Sequence, residues 1–136
     1  MITWVLNVRR QSNSREPSQT HVEAIVNQVK LIRGDTWIRT WVLKDSSGAP
    51  VDLSRASARL MVRDSNTGAV KIVASTDNGL LTIIPTEGRI DLIVPYTQTE
   101  TLTPGKYKFD LEVTYANNIR RTIEQSILRV VEDVTR

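Results

Sequence analysis

The sequence predicts an all-β protein whose antiparallel sheets pack as a sandwich. Three observations predict it: short stretches alternate apolar and polar residues with period 2, clusters of Gly, Pro, Asn, Asp and Ser separate them, and no long segment carries apolar residues at helical spacing. Residues 102–115 show the pattern most clearly. Tyr107, Phe109, Leu111, Val113 and Tyr115 fall on one side of an extended chain, and Lys106, Lys108, Asp110, Glu112 and Thr114 on the other. Pro104-Gly105 has the chemistry of a type II turn that launches this strand, with φ > 0 at the glycine. Tyr107, two residues after the glycine, fits the corner of a sandwich, where a Tyr hydroxyl bonds back to the preceding loop; the alternative is a core aromatic with a wet tip.

The other elements follow in order. Ile2, Trp4, Leu6 and Val8 make a short N-terminal strand, an edge or an arm. Arg9 to Thr20 offers no apolar residue to bury and reads as a linker, so the chain divides into residues 1–20, strand and linker, and residues 21–136, the sandwich domain. His21 to Ile32 fits both helix and strand, and its β-branched residues favour strand. After the Gly34-Asp35 turn, residues 36–44 form a strand with Trp37, Arg39, Trp41 and Leu43 on one face and Ile38, Thr40 and Val42 on the other. Residues 44–48 turn, Pro50 holds an extended return, and Leu53 plugs the core. Residues 56–63 and 69–74 form a hairpin about Asp64-Ser65-Asn66-Thr67-Gly68, and residues 80–84 and 89–94 a second. Ile90, Leu92 and Val94 face inward, so the core joins Leu60, Val62, Ile90 and Leu92 to the Tyr107–Val113 row. Thr97-Gln98-Thr99-Glu100 has the form of a capping box and predicts one helical turn, anchored by Leu102. Asn117-Asn118 turns into a last strand, residues 119–132, whose apolar phase changes and implies a bulge near Ser126.

Composition bounds the function. A chain of 136 residues, 40% hydrophobic and 24% charged, is long enough for one domain with a core, and its composition is that of a folded protein rather than a disordered one. Without cysteine there is no disulfide and no thiolate zinc site. A net charge of +3, with acidic and basic residues interspersed, shows no strong basic stripe, and Arg9, Arg10 and Arg15 have only Trp4 as a neighbouring aromatic; nucleic acid is not the expected partner. No apolar run reaches the roughly 18 residues of a membrane helix and no basic leader opens the chain, so a soluble protein made in the cytoplasm is expected, with no membrane partner.

Motifs of catalysis are sparse. His21 is the single histidine and ends a polar loop; Ser12, Ser14 and Ser18 have no base to activate them. Residues 64–68 resemble the start of a calcium loop, but Ala74 stands where the bidentate Glu belongs, and a hairpin turn accounts for them. Arg33-Gly34-Asp35 is the tripeptide that integrins read, and here it opens a strand. Asp91, Asp110 and Glu112 sit on outward strand positions. The expectation is no catalytic residue, no metal, no cofactor and no enzyme. What remains is hydrophobic surface: Ile38 and Val42 on the second face of the Trp37 strand, and Ile2, Trp4, Leu6 and Val8 in need of a partner. These six are the candidate assembly interface. The N-terminal strand is expected to dock as an added strand on a neighbouring subunit, the competing outcome being that it folds back over Ile38 and Val42 of its own chain.

Residues 34–37, 44–54, 56–60, 102–111 and 131–136, in that order and spacing, resemble the Ig-like β-sandwich domains of tailed-bacteriophage virion proteins, such as the N-terminal domains of baseplate upper and related tail proteins. The resemblance covers roughly residues 29–136. It implies an Ig-like sandwich with an N-terminal extra strand or arm, acting as a non-enzymatic structural component of the virion, in baseplate, tail or neck, through protein–protein contacts. Its implied partners are other virion proteins, with homo-oligomers inside an assembly. The family's longer fibre or receptor-binding region does not follow residue 136, so a free-standing virion component is the expectation. The alternatives are a capsid decoration protein, or a carbohydrate-binding sandwich that would need an exposed platform built from Trp4, Trp37 or Trp41.

Overall fold

Alternation decides which side chains share the core. The computed structural model describes residues 2–10, 20–22 and 27–134. In strand β9, Gly105–Thr114, the side chains of Tyr107, Phe109, Leu111 and Val113 are buried while Lys106 and Lys108 between them are exposed. The same rule buries Ala58, Leu60 and Val62 of β5, Ser57–Asp64, and Ile90, Leu92 and Val94 of β8, Arg89–Val94. The expected core is therefore assembled as read from the sequence.

The remaining strands are β1 (Ile2–Arg10), β2 (Thr20–Val22), β3 (Gln28–Ile32), β4 (Trp37–Lys44), β6 (Val70–Ser75), β7 (Leu81–Ile84) and β10 (Arg120–Val131). Among the described residues they form two five-stranded sheets, β2-β1-β4-β8-β7 and β3-β10-β9-β5-β6. The sheets face one another across the core, where the ring of Trp37 from one meets Phe109 of the other edge to face, centroids 5.2 Å apart. Most pairs are antiparallel, but β1 with β4 and β3 with β10 run parallel, so both sheets are mixed. These partners are distant in sequence, which leaves the chain room to cross over between them.

Several local expectations shift. The N-terminal strand extends through Arg10, and Thr20 to Val22 returns antiparallel beside it, with Arg9 opposite His21; both ends of the expected linker are thus strand. Residues 11–19, including Ser12, Ser14, Arg15 and Ser18, lie outside the described residues, as does Ile25. His21 to Ile32 is not one continuous strand: β2 and β3 belong to different sheets. The capping box does not form. The helical turn α1, Tyr96–Thr99, has Pro95 at its N-cap with no side-chain cap bond, because the fixed φ of Pro95, −66°, starts the turn before Thr97 can cap it. Thr99 is instead buried and donates its hydroxyl to the Asp35 carbonyl at 2.7 Å. Gly105 has a positive φ of 153°, but it opens β9 opposite Val130 instead of closing a tight turn. The bulge in β10 falls between Thr122 and Glu124, upstream of Ser126, and leaves Ile123 and Glu124 buried in succession.

Candidate functional site

The bulge has a chemical consequence. It turns Glu124 into the core, where Arg39 of β4 meets it at 2.9 Å across the two sheets, both side chains at most 1% exposed. Trp41 donates its Nε1–H to Glu124 Oε1 at 2.8 Å, and Ser126 donates its hydroxyl to Oε2 at 2.7 Å. The guanidinium carbon lies 5.2 Å from the ring centroids of both Trp41 and Phe109, within reach of a cation–π attraction. Burial lowers the pKa of Arg39, and the charge and hydrogen bond of Glu124 oppose that shift. Nothing around the cluster opens it to solvent, so it is a buried tie between sheets. Arg39 stands on the same face as Trp37 and Trp41, as the alternation predicts, whereas no motif in the sequence marks Glu124. The signal was the phase change along the last strand, displaced by a few residues.

The corner expected of Tyr107 is present: its hydroxyl donates to the Thr103 carbonyl at 2.7 Å, and the ring is 2% exposed. The Asp64 carboxylate accepts the backbone N–H groups of Asn66 and Thr67, at 2.8 and 3.0 Å, as a turn residue does. Arg33 of the Arg-Gly-Asp tripeptide is tied to the Leu102 carbonyl at 3.1 Å and to Glu132 at 3.3 Å. Among the described residues no group of three or more His, Asp or Glu converges as metal ligands would.

The candidate interface residues fall on the outer side of the first sheet. Ile38 is 40% exposed and stands opposite Ile93 of β8, itself 53% exposed; Val42 is half-buried and opposite Arg89. Between these apolar points Thr40 donates to Asp91 at 3.0 Å, and Arg89 bridges Asp91 and Glu87 at 3.2 and 3.7 Å. The result is a shallow groove with apolar walls and a floor of paired charges, Arg89 with Asp91 and Glu87. The N-terminal strand does not lie over Ile38 and Val42. It joins the edge of β4 in the same sheet, Ile2 opposite Arg39 through Asn7 opposite Lys44, within its own chain. The backbone of Ile2, Trp4, Leu6 and Val8 is thereby placed; their side chains lie outside the described residues. Trp37 and Trp41 are 4% and 0% exposed, so an aromatic platform for sugars cannot be built from them.

The architecture defines the class, an all-β sandwich whose available surfaces are sheet faces. Among solved structures the chain is similar to the N-terminal domain of phage TP901-1 ORF48, with a TM-score of 0.52 and 10% identity, over 96% of this chain and 98% of that one. It is also similar to CopC from Methylosinus trichosporium OB3b, at a TM-score of 0.44 and 13% identity over 79% of this chain and 88% of that one. A third match is the Listeria monocytogenes internalin-like protein lmo2027, at 0.37 and 14% identity over 79% of this chain and 28% of that one. No protein-family model matches the chain, and no curated protein matches it.

Proposed function

We propose that this chain is a non-enzymatic structural component of a tailed-phage virion, an Ig-like sandwich that acts in baseplate, tail or neck assembly through contacts with other virion proteins. The observation that carries the reading is the fold shared with a phage N-terminal domain over nearly the whole length of both chains. The residue pattern shared with phage tail domains supports it independently. The exposed Ile38–Ile93 pair supplies the surface for such contacts, and the same sheet face extends toward Val42. No bond-making chemistry is assigned to the site.

Purified particles test the reading. Mass spectrometry should find the chain in fixed proportion to tail proteins, and labelled antibody should mark the tail in electron micrographs. Ile38→Asp, at an exposed position, should leave thermal unfolding nearly unchanged and block incorporation. Absence of the chain from particles would overturn the proposal.

A further inference from the structure

The outer face of the second sheet carries its charges in rows. Arg129 of β10 stands opposite Lys30 of β3 on one side and Lys106 of β9 on the other, so three cations lie abreast across three strands. Two residues along β9, Lys108 stands opposite Arg63 of β5. All five are exposed, and their strand neighbours Val29, Leu31, Tyr107, Val62 and Val130 are buried, which fixes the cations on the solvent side. Directly opposed residues of an antiparallel pair, as Arg129–Lys106 and Arg63–Lys108 are, hold their Cβ atoms about 4.5–5.5 Å apart, a position where like charges destabilise a sheet. Among the described residues no carboxylate makes an ion pair with Lys30, Lys106, Lys108 or Arg129. The first acidic group, Asp110, comes one row further on and feels the charge of Arg63. Among the described residues, no ion pair relieves the repulsion across the Lys30–Arg129–Lys106 row.

The kind of partner follows from what lies between the cations. Ile127 sits between Gln28 and Lys108, and Val131 beside the 38% exposed Ile32. A phosphate backbone offers nothing to these apolar groups, and the outward positions of this sheet carry no aromatic side chain on which bases could stack. A protein surface with carboxylates around small apolar side chains matches both features.

We propose that this face docks on a carboxylate-rich protein surface of a neighbouring subunit. The inference rests on the virion reading for the setting, while the chemistry of the partner comes from the rows themselves. The test uses the full chain with two probes, poly-L-glutamate and duplex DNA, at low and physiological salt. One variant carries Lys106→Gln with Arg129→Gln. The control carries Lys44→Gln with Arg55→Asn, which removes equal charge away from this face; Asn suits the positive φ of 61° at position 55. The row variant should bind polyglutamate about tenfold more weakly than the control variant. It should also unfold at a higher temperature than the unmodified chain at low salt, a gain that salt screening erases. Equal weakening by both variants, or a lower unfolding temperature for the row variant, would overturn the proposal. So would tighter binding to DNA that depends on the row. Because neither probe involves a particle, failure here leaves the virion reading standing, and absence of the chain from particles would not alter probe binding.

Discussion

Glu124 accepts three donors in a site without water access: the Arg39 guanidinium, the Trp41 indole N–H and the Ser126 hydroxyl. Removing one member of such a buried pair strands the other charge, which typically costs about 3–5 kcal/mol, whereas replacing both by apolar groups is often neutral. Glu124→Leu should accordingly lower the denaturation midpoint sharply, and adding Arg39→Met should restore most of the loss. A double variant no more stable than the single one would show that the pair is not coupled. Tyr107 presents a milder case. Its hydroxyl bonds to a carbonyl of the exposed residue Thr103, which water can reach once the hydroxyl is gone. Tyr107→Phe should cost about 1 kcal/mol in chemical denaturation.

Two elements depend on backbone geometry that side-chain patterning does not encode. Gly88 follows the 3-10 turn Pro85–Glu87 with φ 60°, and a Cβ built there would lie 2.5 Å from the Leu43 carbonyl oxygen. That carbonyl already accepts the Val51 N–H at 2.9 Å, and the Leu43 N–H donates to the Gly88 carbonyl at 2.8 Å. These bonds seat the return that delivers the buried Leu53. Gly88→Ala should therefore cost more than Gly48→Ala, where φ is 87° but nothing lies within 4 Å. The control measures the left-handed penalty alone, about 1–2 kcal/mol. Equal losses in thermal unfolding would show that the backbone yields at Gly88. At the other end of the fold, β1 satisfies the edge of β4 over six opposed residue pairs. Deleting residues 1–20 should lower the unfolding temperature markedly, since it bares that edge. A scarcely changed temperature with loss of association by light scattering would place the strand on a neighbour instead.

Among the described residues, three carboxylates in opposite environments make stability depend on pH in opposite senses. Asp110 is pushed above its ordinary value of 3.8, chiefly by burial and then by Glu112, with Arg63 opposing. A raised pKa contributes stability that is fully present below 3.8 and is lost as the pH rises through the higher folded value. Asp110→Asn should thus stabilise the chain at neutral pH and leave its stability in strong acid nearly unchanged. Asp52 and Asp64 behave in the reverse sense. Ser54 hydroxyl and backbone N–H groups hold Asp52 below 3.8, and the Thr67 and Asn66 N–H groups hold Asp64 there. Their contribution is present above 3.8 and disappears as the pH falls through the lower folded values. A denaturation series from neutral to acid pH on the unmodified chain and Asp110→Asn separates the two effects; parallel curves would show that Asp110 does not titrate with unfolding.

By itself the sequence determined the sandwich class, the buried row of β9 with its partners in β5 and β8, and the Asp64 turn; the Tyr107 corner it left open against a core aromatic, and the bond to Thr103 decided it. Each is a local property: period 2 fixes which side chains point together, and turn residues fix where strands end. The exposed Ile38 was legible for the same reason. Tertiary structure alone decided that Glu124 meets Arg39, that β1 lies beside β4, and that Lys30, Arg129 and Lys106 stand abreast. Register between distant strands is a choice among alternatives that keep the same buried face. One extra residue at the β10 bulge moved a carboxylate from solvent to core, and only the pairing of whole sheets selects where that residue is inserted.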